Sequence, residues 1–496
     1  MNKMIPRFLK PFMAAALCWA VAFTGRAALR GDANGNGTVD IDDVNLIINI
    51  MLNHASQETY PLADIDGNKT IDIDDMNIII NEILGVGHPR GRMVGMGEGK
   101  DSVQMQRILN YGLEVLDIQL NDGEWPTTDS VTPPPGAWGR TIANPTKVPG
   151  RMRILLRDSV LYDTGEYIDS ESGMTLRIRG NTSAWHPKKP YKIKLQKKAD
   201  LLHRDSIDGR DKDWLLLYDE KLYYMLGFEV GRMVGMTWTP GYRYVNVVVN
   251  NQYEGMYLLI ESVKRNTDCR LDVTKQGYIF EHDQYWWNEP LWLPSMCPYP
   301  YKFTFKYPDP DVFTEADSVY MTDLTHRMEL SYYTHDNYPE VIDVPSFARF
   351  CLVHDIMGTS HYGANRYYIK RDKSDTTLVE MPLVWDFDRE DGDSAAWSLT
   401  HRAFFYQFFQ NSNRTFVEEY AKQWNQVRPI PYSHIDSLFT SERKTNGYAI
   451  SMSTYLDNTR WNTHHPTYNS FTNRPAWIKR RIPWLDAEIQ KLPGVN

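Results

Sequence analysis

The sequence predicts an α+β protein in two parts, a small all-α module followed by a much larger domain of mixed strands and helices. Three observations predict it. A stretch near the N-terminus repeats at an offset of 32 residues, each copy an oxygen-rich loop running into an apolar helical segment. Further on, Thr175–Leu195 reads as two runs of period-2 alternation around a polar turn, the pattern of an amphipathic strand pair. Later segments turn helical, at Val344–Met357 and Ala403–Val427, which places an antiparallel sheet early and helices late. At 496 residues the chain is long enough for two or more domains.

The first 27 residues read as an export signal. Lys3, Arg7 and Lys10 precede an apolar run, Phe12–Phe23, that is shorter than the roughly 20 apolar residues a membrane span needs. Small residues offer two cleavage points, Ala20-Val21-Ala22 and Gly25-Arg26-Ala27. Leu17 before Cys18 fits a lipid-attachment site poorly, so the expectation is a secreted protein, extracellular or held at a cell surface, with no transmembrane segment after cleavage. A net charge of −9 argues against nucleic acid as a partner. Beyond Cys18 the cysteines are Cys269, Cys297 and Cys351, which allow at most one internal disulfide and match no metal-ligand spacing.

The repeat aligns Asp32–Asp43 with Asp64–Asp75. Oxygen side chains fall at the first, third, fifth, seventh, ninth and twelfth places: Asp32, Asn34, Asn36, Thr38, Asp40 and Asp43, then Asp64, Asp66, Asn68, Thr70, Asp72 and Asp75. Hard oxygen donors in that rhythm suit Ca²⁺, as in an EF-hand loop. The last place holds Asp where many such loops carry Glu, and Lys69 replaces the usual glycine of the second loop, both of which weaken binding. Two loops, each followed by one helix (Val44–Leu52 and Met76–Leu84), resemble a type I dockerin over residues 30–87. The resemblance implies two calcium sites and docking onto a cohesin-type protein, with the paired Ile41-Asp42 and Ile73-Asp74 allowing two symmetric orientations. A Gly-rich linker follows within 88–110, and the large domain occupies 111–496, with Asn121–Pro149 expected as a surface loop.

In the large domain, Met152–Leu156, Thr175–Arg179, Pro190–Leu195 and Trp214–Leu217 read as strands, and Glu220–Val234 as a helix. Tyr244–Val249 and Tyr257–Glu261 flank Asn250-Asn251, a two-residue hairpin signal. Pairing of the Thr175–Leu195 runs gathers Arg177, Arg179, Lys192 and Lys194 on one face, either as an anion-holding wall or as the solvated side of a hairpin. The segments RGNTS (Arg179–Ser183), KKPYKIK (Lys188–Lys194), WLLL (Trp214–Leu217), VNNQYEGMYLLIE (Val249–Glu261), GYIFE (Gly277–Glu281) and WDFD (Trp385–Asp388) occur in that order. Together they resemble the spore-coat CotH family of secreted protein-kinase-like proteins, and the resemblance spans most of residues 110–490. The fold class is therefore α+β: a small all-α calcium-binding dockerin of two EF-hand-like loop–helix repeats, followed by an atypical protein-kinase-like domain.

That resemblance implies ATP with Mg²⁺ or Mn²⁺ and phosphoryl transfer to Ser or Thr, which needs cations on the phosphates, oxygen ligands for the metal and a base for the acceptor hydroxyl. Arg179, Lys192 and Lys194, with Glu261, are the candidate nucleotide contacts. Pro382–Trp385 reads as a strand that delivers Asp386 and Asp388, and Asn365 opens the strand Arg366–Lys370, paired with Leu378–Val384. Asn365 and Asp386 form the candidate metal pair, with Asp386, Asp388 and His361 as catalytic candidates. The pattern departs at the base: five residues before Asn365 stands Ser360, or His361 with a shift of one, and the nearest acid, Asp355, falls in a helix. Two functions follow, an exported kinase docked through its calcium module, or a weak or inactive kinase-like platform whose main role is docking. A polysaccharide-active enzyme would suit 15 Trp and 30 Tyr, but no paired-acid constellation supports it.

Overall fold

The structure is a computed structural model that describes residues 31–80, apart from 37, 53–58, 66–69, 73–74 and 77, together with residue 105 and residues 108–495, apart from 138, 140, 205–207, 220, 297–300, 335–339, 360–365, 388–394, 399–404, 411–413, 429–430, 464–466 and 493–494. The stretch expected to be an export signal, most of the expected linker, Asp66, Asn68, Cys297, Ser360, His361, Asn365 and Asp388 lie outside the described residues. The chain divides into two compact units, residues 1–95 and 96–496.

In the smaller unit, α1 (Ile41–Met51) starts at a capping box: the Asp40 side chain accepts from Asp42 N, and Asp43 accepts from Asp40 N at 2.9 Å. Its inner face buries Val44, Ile47 and Ile50 against Ala33, Ala63, Ile65 and Ile79. Residues 75–76 and 78–80 are helical as well.

The larger unit begins with β1 (Glu114–Leu120), β2 (Asp129–Val131), β3 (Thr141–Ala143), β4 (Val148–Leu156), β5 (Ser159–Asp163), β6 (Met174–Ile178), β7 (Tyr191–Ala199) and β8 (Asp211–Leu217). After α2 (Tyr223–Val234) come β9 (Tyr242–Val249), β10 (Gln252–Glu261), β11 (Tyr278–Asp283), β12 (Trp292–Leu293) and β13 (Lys302–Tyr307). The rest is α3 (Glu315–Thr334), α4 (Val344–Met357), β14 (Arg366–Lys370), β15 (Val379–Glu380), α5 (Arg414–Val427), α6 (Pro431–Trp461) and α7 (Thr467–Ile489).

Strand order β1-β9-β10-β8-β7-β6-β4-β5, with β1 also paired to β4, closes the first sheet into a barrel. All its pairs are antiparallel except β1 with β9. Leu116, Ile118, Met152, Leu176, Ile193, Trp214, Val247 and Leu259 fill the interior. The alternate residues Leu215, Leu217, Leu258 and Ile260 face outward into a second core, shared with α2, α4 and a second sheet of order β12-β13-β11-β14-β15. This explains why Trp214–Leu217 of β8 and Met256–Ile260 of β10 are apolar without alternation: both of their faces are buried.

Four expectations need correction. Asn121–Pro149 is not simply a loop, because β2 and β3 pair there and Thr141 and Ile142 are buried, with Asn288 donating to both. The helix expected over Ala403–Val427 begins at Arg414; Phe405, Phe408 and Phe409 instead form a tight turn whose rings pack on Phe416 and Tyr420. The Leu378–Val384 strand is paired only at Val379–Glu380, and Pro382–Trp385 is not a strand. Pro382 has no N–H to give, its carbonyl takes Trp238 N at 2.9 Å, and Met381 N goes to the Ser346 hydroxyl. Finally, α2 starts at Tyr223 because Leu222 is left-handed and Asp219 accepts from Met225 N. Cys269 and Cys351 are both free thiols. No helix among the described residues is long and apolar enough to cross a membrane.

Candidate functional site

The β6–β7 pair has the expected register, with Leu176 opposite Ile193 and Arg177 opposite Lys192. Leu176, Ile178, Tyr191 and Ile193 point into the barrel, leaving Arg177, Arg179, Lys192 and Lys194 on its outer side. The segment between the strands is long and tied at several points. Thr141 donates to Asn181 at 2.6 Å, Thr182 and Tyr285 hydroxyls meet at 2.8 Å, and Lys189 Nζ donates to Ala184 O. Gly180, at φ 98°, allows the turn, since a side chain there would meet the Ser183 hydroxyl.

The cations do not all stand free. Lys192 Nζ lies 2.7 Å from Asp213, which Lys264 approaches at 2.5 Å. Burial works against the Asp213 carboxylate, yet Lys192 and Lys264 outweigh it and hold it well below the usual carboxylate range. Burial, opposed by Asp213, keeps the Lys192 ammonium below its ordinary value. Arg177 is lowered by burial and then by the neighbouring Arg179. Lys194 is exposed. The face is thus a charged layer that contains its own counter-ion, neither a bare cation wall nor a solvated surface.

Glu261 belongs elsewhere. It is in register with Trp214, which is opposite Ile193, so it lies on the barrel-interior side of the sheet from Lys192. Its oxygens are committed to Arg204, at 2.9 Å, and to Gly241 N, at 2.8 Å. This is a structural ion pair, and the structure does not bring Glu261 together with Arg179 and Lys192.

Asp386 is half-exposed between the buried Trp385 and Phe387, with its backbone left-handed at φ 68°. The extended chain expected through Asp386 and Asp388 therefore breaks at Asp386. Phe387 lies edge-on to Tyr224 and Phe228 of α2 and beside His354 of α4; Gly227 has no side chain because the Phe387 ring occupies that space. Trp385 packs edge-on to Tyr367 at 6.5 Å. Tyr367 is opposite Glu281 in the β11–β14 register and feels the charges of Glu281, Lys306 and Arg179. Tyr367 is thus packed by Trp385, the residue before Asp386, and feels the charge of Arg179, the residue after β6.

The second sheet carries a buried charged group that sequence reasoning missed. Lys306 lies 3.2 Å from Glu281 and 3.7 Å from Glu289; these carboxylates, against burial, keep it protonated. Burial and then Glu281 push the Asp283 carboxyl up to about 7, opposed by Lys306. Asp283 accepts from Tyr285 N at 2.7 Å. The available signal was the i, i+2 spacing of Glu281 and Asp283, flanking His282 at the end of the apolar run Tyr278–Phe280. Asp355, the acid nearest the expected base position, is buried in α4 and bound by Tyr420 OH at 2.7 Å and Ser398 N at 3.1 Å.

In the smaller unit the loop oxygens turn inward. Asp32 and Asn34 both accept from Asn36 N at 2.9 Å, Asn36 accepts from Thr38 N, and Asp43 from Asn34 N. In the second loop Asp75 accepts from Ile65 N and Asp72 N, and Thr70 donates to Asp72. Asp43 and Asp75 are fully buried and Asp32 nearly so. Among the described residues no three His, Cys, Asp or Glu side chains are gathered as a metal site; each loop reaches its donor count only with Asn, Thr and, in the second, Asp66 and Asn68.

No curated protein matches the chain. A family model described as CotH kinase protein matches residues 176–429, from within β6 to just past α5 and so across the charged face, the Asp386 segment and the strand that follows Asn365. The chain belongs to the CotH family.

Proposed function

We propose that the larger unit binds ATP with Mg²⁺ or Mn²⁺ between the outer face of β6–β7 and the Asp386 segment, and transfers phosphate to a Ser or Thr hydroxyl. The observation that carries this reading is Asp386 itself: a non-glycine residue in left-handed conformation between two buried rings, Trp385, which packs edge-on to Tyr367, and Phe387, which packs on Phe228. Strain of that kind persists where the surroundings over-determine it, and it concentrates at functional sites. Asp386 and Asn365 are the oxygen donors that would hold Mg²⁺ or Mn²⁺, and the ion would supply charge neutralisation to the phosphates. Arg179 supplies a bidentate cation, while Lys192, tied to Asp213, sets the local field.

A specific observation favours a second reading, a kinase-like platform of little or no activity. Ser360, or His361 with a shift of one, stands at the base position, neither of them a carboxylate, and Asp355 is engaged by Tyr420 and Ser398. One pair of measurements separates the two. With Mg²⁺ or Mn²⁺, ATP is expected to raise the melting temperature of the wild type, with stabilisation of about 1–3 kcal/mol near saturation, and labelled phosphate is expected on a general acceptor protein. Asp386→Ala loses both. Stabilisation without transfer favours the platform; transfer that survives Asp386→Ala rejects the site.

We also propose that the smaller unit is a dockerin-type calcium module that tethers an exported protein to a cohesin-type partner. The matched carboxylates Asp43 and Asp75 support calcium. An exposed stripe on α1, with Ile41 62%, Ile48 37% and Leu52 58% accessible, supports docking.

A further inference from the structure

The segment joining β6 to β7 is held from a part of the chain beyond the family-matched span. Lys188, buried in that segment, donates to Asp457 of α6 at 2.8 Å and to Met256 O at 2.7 Å, and lies over the Tyr257 ring at 4.8 Å. Asp457 is buried too and uses its other oxygen to accept Met256 N at 3.1 Å. Asp457 belongs to a polar stripe along α6. Ser453 accepts from Asn246, Arg460 donates to Tyr253 O and pairs with Glu254, and Trp461 donates to Glu254 O. At φ 121°, Gly255 gives Asp457 its approach, because a side chain there would collide with the carboxylate. A buried ammonium needs its counter-charge, so Lys188 cannot keep this position once Asp457 is neutral without finding another partner.

We propose that Asp457 is a positioning residue for the phosphate-contacting segment: acting through Lys188, it fixes Gly180–Pro190, and with it Arg179 and Lys192 at the two ends, making helix α6 a working part of the nucleotide site. The inference about the segment stands on geometry alone; its consequence for nucleotide rests on the phosphotransferase reading. In the full chain, Asp457→Asn is expected to speed amide hydrogen exchange across residues 180–189 by at least tenfold while the amides of β11 and β14 keep their protection. It is also expected to weaken ATP–Mg²⁺ binding by about tenfold, with Asp457→Glu in between. A merely structural role would loosen β11 and β14 along with the segment and show no graded response. If Asp457→Asn fails to fold, Lys188→Met, which removes the buried cation instead of stranding it, is read the same way. Unchanged exchange at 180–189 in a folded variant overturns the proposal. Faster exchange in a protein whose wild type binds no nucleotide upholds the latch and rejects the phosphotransferase reading.

Discussion

At the scale of single residues, Asp386 concentrates the tension between stability and function. The left-handed backbone costs a non-glycine residue about 1 kcal/mol, and less for Asp than for a branched side chain. Asp386→Gly removes that cost and the carboxylate together. We expect the variant to stay within about 1 kcal/mol of the wild type in urea denaturation, because backbone relief is offset by the entropy glycine adds to the unfolded chain, and to lose metal-dependent ATP stabilisation. A variant destabilised beyond that range would show that the carboxylate holds the fold instead. Asp386 stood out in the sequence as a candidate, because WDFD stands in order after the other segments. The conformation of its backbone did not, since alternation of Trp385, Asp386 and Phe387 reads as extended chain and nothing local announces the packing of Phe387 against α2 and α4 that bends it. Lys192 teaches the same lesson: its place on the outer face follows from period 2, whereas its partner Asp213 depends on the β7–β8 register, which only the folded barrel sets.

Elements were readable where their signals are local. Both residues of the Asn250-Asn251 turn are left-handed, at φ 49° and 64°, as a two-residue hairpin requires. Pairings that close the barrel, β1 with β4 and with β9, join segments far apart in the chain and leave no periodic trace. The β11 strand combines both cases, a clear apolar run whose two acids acquire meaning only beside Lys306 and Glu289 from other segments. Its Asp283 carboxyl, raised to about 7, holds its proton more tightly in the folded chain than in the unfolded one. Between an ordinary Asp value near 4 and that raised value, the folded state carries a proton the unfolded state has lost; stability contributed at low pH is therefore lost as pH rises through this window, then levels off. Comparing urea denaturation at pH 5 and pH 8, we expect the wild type to lose at least about 1 kcal/mol more than Asp283→Asn does. Equal losses in the two proteins would show that Asp283 does not titrate there.

At the scale of the whole molecule, the division at residue 95 separates two kinds of stability. The larger unit has two extensive cores, one inside the barrel and one between the sheets and helices. Among the described residues, the smaller unit has a core of a few side chains around Val44, Ile47 and Ile79, small beside those of the larger unit. Its buried carboxylates Asp43 and Asp75 are paired with backbone N–H groups, and a calcium ion in each loop would add the binding free energy that such a small core lacks. Calcium should therefore act on one unit and not the other. In calorimetry of the full chain we expect Ca²⁺ to raise a lower melting step, by about 2.7 kcal/mol for each occupied loop at a hundredfold excess over the dissociation constant, and to leave the upper step unmoved. Removing the ion with a chelator should reverse the shift and reduce helical circular dichroism. Asp43→Ala and Asp75→Ala should each remove one binding event from a calcium titration, and the double variant both. A titration without heat and without gain of helicity would leave the repeated loops as acidic turns, and the tether would have to be sought in another part of the chain.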